Sequence, residues 1–175
     1  RPETMLGDVA VAVNPKDERY QKLIGKIVIL PIQGREILII ADRRVEKEFG
    51  TGVVKITPGH DVLDEAIASD NKMPIIKIIG EDGKMTKEAG PDFEGLKSLD
   101  VREKVLSILK EKNLLEKTED YIHNVAHCYR CGTVIEPLCS KQWFLKMKEL
   151  AKAAESAVKS KKITFYPKSF EKMYF

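Results

Sequence analysis

The stretch Glu48-Phe-Gly-Thr-Gly-Val-Val-Lys-Ile-Thr-Pro-Gly-His-Asp61, with Asp64 close behind it, carries the side chains best suited to chemistry. Phe49-Gly50-Thr51-Gly52 is a turn whose glycines permit close backbone approach. Val53 to Thr57 alternate across a strand, which places Val53, Lys55 and Thr57 on one face. Pro58-Gly59 ends the strand, and His60-Asp61 opens a short helix with Asp64 one turn further in. A carboxylate delivered to a strand end in this way can hold a small polar substrate. The same residues also fit a purely structural arrangement. In that arrangement Asp61 caps the helix, Asp64 sits favourably in its first turn, and Lys55 points to solvent. Spacing alone leaves both readings open.

The elements that must position this corner follow from the pattern of apolar residues. Residues 9–13, 26–32, 36–41 and 51–57 are short, β-branched runs separated by Gly, Pro or charged turns, which suggests a barrel- or sandwich-like β core. Pro74-Ile-Ile-Lys-Ile-Ile79 reads as a further strand, closed by an Asp82-Gly83 turn. Helices are expected over 61–69, over 99–112, where Val101, Val105, Ile108 and Leu109 share a face, and over about 142–158. Trp143 and Phe144 read as core anchors for that last helix. The expected fold class is mixed α/β, a β-barrel-like core with peripheral helices. A β-rich body is expected over 1–120, and a Cys-containing connecting module with a basic helix over 121–175.

Bulk properties limit the classes of function. With 43% hydrophobic and 33% charged residues, the 175-residue chain reads as globular, and it has no apolar run long enough for a membrane helix. Three cysteines, an odd number, argue against a disulfide framework and fit a reducing, cytoplasmic setting. The net charge of +3 is too small to indicate nucleic-acid binding by itself. Between Lys141 and Lys172, however, nine lysines face three glutamates. That excess suits phosphate contacts and equally suits a solvated helix face. The chain opens on Arg1-Pro-Glu-Thr without an initiator Met and closes on Met173-Tyr-Phe175, as expected of a segment of a larger protein.

Gly50-Thr-Gly-Val-Val-Lys-Ile-Thr-Pro-Gly-His-Asp61 resembles the editing-site signature of the class I aminoacyl-tRNA synthetases, most specifically the valyl enzymes. Arg1-Pro-Glu-Thr-Met-Leu-Gly-Asp8 resembles the end of their threonine-rich substrate-binding segment. Asn14-Pro-Lys-Asp-Glu-Arg-Tyr20 and Gly34-Arg-Glu-Ile-Leu-Ile-Ile-Ala-Asp42 follow in the same order, so the resemblance covers nearly the whole chain. Gly59 stands where Ala is usual, and Val62-Leu63 replaces the commoner Pro-Asn. The threonines expected just before Arg1 lie outside this sequence. Isoleucyl enzymes carry a Trp-Thr-Leu-Pro type sequence where this chain has Glu3-Thr-Met-Leu6, and leucyl enzymes have a different strand before their His-Asp.

The resemblance implies a deacylase that removes threonine from the valine-specific tRNA and spares valine. It implies that Asp61 binds the substrate's α-ammonium group and that Asp64 reads the threonine hydroxyl. Arg1, Thr4 and Lys55 would line the site around the terminal adenosine and the attacking water, and Phe49 would form part of its wall. His60 is either a general base or an orienting group. The expected partners are tRNA(Val), through its aminoacylated 3′ end, and the rest of the synthetase in cis, with no membrane. Editing needs no cofactor, and ATP would serve only the full-length enzyme. The alternatives are an isoleucyl-type editing domain that removes valine, and a non-catalytic tRNA-binding module.

Cys128-Tyr-Arg-Cys131 has zinc-ligand spacing, with His123, His127 and Cys139 nearby. One Cys-x-x-Cys pair is half of a tetrahedral site. By resemblance, the other half is an upstream Cys pair absent from this sequence, which implies a split structural zinc site. Two reduced cysteines in a turn is the plain alternative.

Overall fold

The computed structural model describes residues 1–120, 122 and 124–175. His123 therefore lies outside the described residues. By its internal contacts the chain separates into two units, Arg1–Cys139 and Ser140–Phe175, so the Cys128–Cys131 turn is counted with the first.

The first unit is built on one mixed sheet. Its strands are β1 (Ala10–Val13), β2 (Ile27–Ile29), β3 (Glu36–Ala41) and β4 (Val53–Ile56), in the spatial order β2-β3-β1-β4. β1 runs parallel to β3, with Ala10 opposite Leu38, and antiparallel to β4, with Val11 opposite Lys55. β2 pairs antiparallel with β3. The period-2 alternation decides what each strand shows. On β4, Ile56 is completely buried while Lys55 turns to the other, half-buried face. The mixed α/β class expected from sequence is the one observed.

Two helices cover this unit. α1 (Val62–Asp70) packs Ile67 and Ala68 on Val9, Ala10, Ala12 and Ile56 of the sheet. α2 (Ser98–Glu111) buries Val101, Val105 and Leu109 against Leu6, Ile78, Ile79 and Phe93. Full burial of such aliphatic side chains contributes about 1.5–3 kcal/mol each. Leu6 belongs to a 3₁₀ turn, Pro2–Gly7, so α2 backs the segment that leads into the candidate site.

Three expectations are corrected. Pro74–Ile79 is no strand of the sheet, and its ladder contact is one isolated bridge, Ile79 with Met85, across the Asp82-Gly83 turn. The reason is local, because the Ile78 and Ile79 amides donate to a histidine ring instead of to a neighbouring strand. The last long helix, α3, runs Lys148–Lys159 and does not reach back to residue 142. Trp143 and Phe144 are almost fully exposed at 102% and 90%, and so are not core anchors. Without burial to offset the cost of nucleation, the bulky 142–147 stretch has no reason to coil.

The second unit holds α3 and a short terminal helix, α4 (Glu171–Tyr174). Within it, the Phe165 and Tyr174 rings meet at 5.1 Å. Among the described residues no helix is long and apolar enough to cross a membrane.

Candidate active site

Lys55 is the hub of the corner. Its Nζ donates to Thr4 Oγ1 and to Thr57 Oγ1, both at 2.8 Å, and stands 3.7 Å from Asp8 Oδ1. Each threonine passes the interaction on. Thr4 donates to the Arg1 carbonyl at 2.9 Å, and Thr57 donates to Asp8 Oδ1. An ammonium has three protons, so two are fixed on hydroxyls and the third lies on the side of Asp8 or of a ligand. Lys55 is thus a held cation with its partners in place, and the solvent-exposed lysine of the structural reading is not what the fold builds.

Asp8 is 1% exposed, and its pKa is raised to about 6. Burial is the largest cause, opposed by the Lys55 charge and the Thr57 hydroxyl and reinforced by Asp64. Sequence reading quoted Asp8 within the first motif but gave it no role. Only the β1–β4 pairing brings the end of the Pro2–Gly7 turn beside Thr57. Thr57 likewise gained no role, although its place on the Lys55 face was legible.

The two helix-start carboxylates divide their work. Asp61 is the N-cap of α1, with Oδ1 accepting from the Leu63 amide at 2.8 Å and from the Asp64 amide at 3.0 Å. Both bonds use one oxygen, which leaves Oδ2 at the exposed end of the helix. Asp64 is 8% exposed and anchors Oδ2 on the Thr57 amide at 2.8 Å, which leaves Oδ1. Its pKa is raised, by burial first, with the Thr57 amide opposing.

His60 is buried at 3% exposure, and its Nε2 accepts from the Ile78 amide at 3.0 Å and the Ile79 amide at 3.2 Å. The remaining nitrogen, Nδ1, therefore carries the proton. Burial lowers the imidazole pKa, with the Pro137 carbonyl acting in the opposite direction. A ring whose lone pair is occupied by two backbone amides has none left to take a substrate proton. Of the two sequence readings of His60, the geometry supports the orienting one and removes the general base.

Gly59 fits the same packing. A Cβ there would stand 2.4 Å from the Ile76 carbonyl oxygen, closer than any real contact. Gly52, at φ +77°, lies where a Cβ would meet Arg19 Nη2 at 2.7 Å. These two glycines hold the turns at either end of β4. Phe49 stands exposed on the turn that leads into Gly52.

Arg1 lies at the edge of the cluster. Its Nε donates to Glu3 Oε1 at 3.1 Å and its Nη2 to Glu136 Oε2 at 2.6 Å. Glu3 is wholly buried and takes two further bonds from Arg102, each 2.8 Å. Burial alone would raise its pKa. The hydrogen bonds from Arg102, its own amide and Arg1 outweigh burial and bring it to about 2.

The cysteine pair stands apart from this cluster. Cys128 and Cys131 sit on one tight turn, closed by Cys128 N–H to Thr133 O and Gly132 N–H to Cys128 O, both 2.8 Å. The Cys131 sulfur lies 3.2 Å from Thr133 Oγ1, and a hydrogen bond from that hydroxyl to the thiolate is the largest cause of its lowered pKa. Two thiols on one turn fit half of a zinc donor set. Among the described residues no group of three or more His, Cys, Asp or Glu side chains converges on a common point. Cys139 is used elsewhere, its thiol donating to the Pro58 carbonyl at 3.3 Å.

The comparisons with known proteins agree with one another. The valine–tRNA ligases of Thermotoga maritima and Carboxydothermus hydrogenoformans are 49% and 52% identical to this chain over 174 residues, 99% of it. That of Fusobacterium nucleatum is 50% identical over all of it. The chain spans 20% of the length of each. A solved structure described as "The crystal structure of GlLeuRS-CP1" superposes with a TM-score of 0.55, over 69% of this chain and 81% of that one. At 17% identity that likeness speaks for the fold. Residues 2–175 match the family model for class I tRNA synthetases (I, L, M and V), and the chain belongs to that family.

Proposed function

We propose that this chain is the editing domain of a valine–tRNA ligase and hydrolyses threonyl-tRNA(Val) to threonine and tRNA(Val). The observation that carries the reading is the Lys55 hub. A cation is fixed on Thr4 and Thr57 beside two near-buried carboxylates, in a chain about half identical to valine–tRNA ligases. The need for such a site is physical. A pocket shaped for valine rejects the isosteric threonine only about a hundredfold, a figure established for valyl enzymes in general and not obtained from this chain. A second pocket that removes the wrong ester supplies the rest.

The roles follow from which atoms are left available. Asp61 keeps its cap with Oδ1 and offers Oδ2 to the α-ammonium group. Asp64 offers Oδ1 to the threonine hydroxyl, and valine's methyl group would leave that acceptor unsatisfied. Lys55 directs its third proton at the developing oxyanion, and Asp8 keeps that ammonium from swinging away. Arg1 and Thr4 line the approach of the terminal adenosine, and Phe49 forms part of the wall. Water attacks the ester carbonyl and the ribose oxygen leaves. An aminoacyl ester is activated enough for positioning and charge stabilisation to suffice, so no protein nucleophile is required. His60 orients the corner.

The partners under this reading are tRNA(Val) and the remainder of the synthetase in cis, with ATP handled by other parts of that enzyme. Cys128 and Cys131 would hold a structural zinc ion together with donors from outside this sequence. The test is hydrolysis of threonyl- and valyl-tRNA(Val). Selective loss of threonine supports the deacylase. Salt-sensitive tRNA binding without hydrolysis would instead favour a binding module acting through the lysines of 141–172.

A further inference from the structure

Glu136 to Cys139 belongs to no helix or strand, yet it touches the corner at two points. Glu136 accepts from Arg1 Nη2 at 2.6 Å, and the Cys139 thiol donates to the Pro58 carbonyl at 3.3 Å. On the far side of Arg1, Nε is bonded to Glu3, which Arg102 of α2 grips through two hydrogen bonds. Four charges therefore alternate in a row: Arg102, Glu3, Arg1, Glu136. The inner carboxylate is completely buried. The outer one is the only partner on the open side of the guanidinium among the described residues.

An arginine side chain has many rotamers, and a bond at Nε alone leaves the guanidinium free to swing about its last torsions. A second bond at Nη2 removes that freedom. It also leaves Nη1 to donate to a ligand in a fixed direction. The Arg1–Glu136 pair is partly exposed, with side-chain exposures of 35% and 23%, so its effect on stability is small. What it fixes is orientation.

We propose that Glu136 is a positioning residue of the deacylation site, which acts by holding the Arg1 guanidinium toward the aminoacyl-tRNA end. The inference rests on the deacylase reading above. Loosening Arg1 weakens the grip on substrate and transition state alike, so the effect falls on KM and not on kcat.

The experiment uses the intact polypeptide that contains this chain and measures steady-state hydrolysis of threonyl-tRNA(Val). Glu136→Ala should raise KM about five- to tenfold with kcat within about twofold. Its melting temperature should stay close to the parent's. Glu136→Gln, whose amide oxygen still accepts from Arg1, should recover part of the loss. In an Arg1→Ala background Glu136→Ala should have no further effect, since both act through one guanidinium. An unchanged KM, a lowered KM, or an equal effect with and without Arg1 would overturn the proposal. If the parent itself hydrolyses no threonyl ester, the deacylase reading fails first and this inference falls with it. That outcome is visible before any substitution is made.

Discussion

Asp8 stands at the centre of the candidate site, beside Lys55 and Thr57, yet its place in the sequence pattern assigned it no role. It is nearly inaccessible, accepts a hydrogen bond from Thr57 and faces Lys55. Its raised pKa has a thermodynamic consequence whose sign is fixed. The unfolded chain releases this proton near pH 4, whereas the folded chain holds it up to about 6. The stabilisation is therefore complete below pH 4 and is lost as pH rises through 6. Glu3 works the other way, stabilising above its ordinary range and losing that contribution as pH falls toward 2. Asp8→Asn should consequently gain stability relative to the parent between pH 4 and 7, by roughly 2–3 kcal/mol. Urea unfolding of both proteins across that range checks it, and a pH-independent difference would contradict the burial of the carboxylate. Lys55, Asp61 and Asp64 were legible because they sit close together in one run. Asp8 and Glu136 were not, because their partners are remote in sequence and are reached only through the fold.

At the scale of elements, the β4–α1 corner is held by three devices. Asp61 caps α1, His60 ties the corner to the Ile78 and Ile79 amides, and Gly59 allows the Ile76 carbonyl to press against it. Asp61→Asn keeps an oxygen for the cap but loses the charge. It should leave stability within about 0.5 kcal/mol while cutting threonyl-ester hydrolysis at least tenfold. Asp61→Ala should lose the activity and about 1 kcal/mol besides. Thermal melts alongside deacylation assays separate the two contributions. Gly59→Ala places a methyl group into backbone and should cost about 1–3 kcal/mol, read from denaturant midpoints. A neutral result would mean that the Ile76–Ile79 segment can withdraw freely. The same segment shows where pattern reading stops. Pro74–Ile79 has the composition of a strand, but His60 takes its amides, and no propensity scale contains that competitor. The helix expected over 99–112 is found at Ser98–Glu111, because one buried face with Val101 and Val105 decides it locally.

At the scale of the molecule, Arg1–Cys139 carries every residue of the candidate site, while Ser140–Phe175 carries the lysine-rich helix α3. Exposed Trp143 and Phe144 belong to a chain that spans a fifth of its relatives' length. A reading that assigned them to a core of this chain could not succeed from composition alone. Two thiols on the Cys128–Cys131 turn are too few to hold zinc tightly by themselves. The 175-residue chain purified without added metal should therefore contain well under one zinc per molecule by elemental analysis, and stoichiometric metal would show a complete donor set.

The measurement closest to the central claim is parallel deacylation of threonyl-tRNA(Val) and valyl-tRNA(Val) by the parent and by Asp64→Ala. The account predicts release of threonine well in excess of valine by the parent, and loss of that selectivity in the variant, whose hydroxyl acceptor is gone. Equal hydrolysis of both esters, or threonine release that survives in Asp64→Ala, would contradict it.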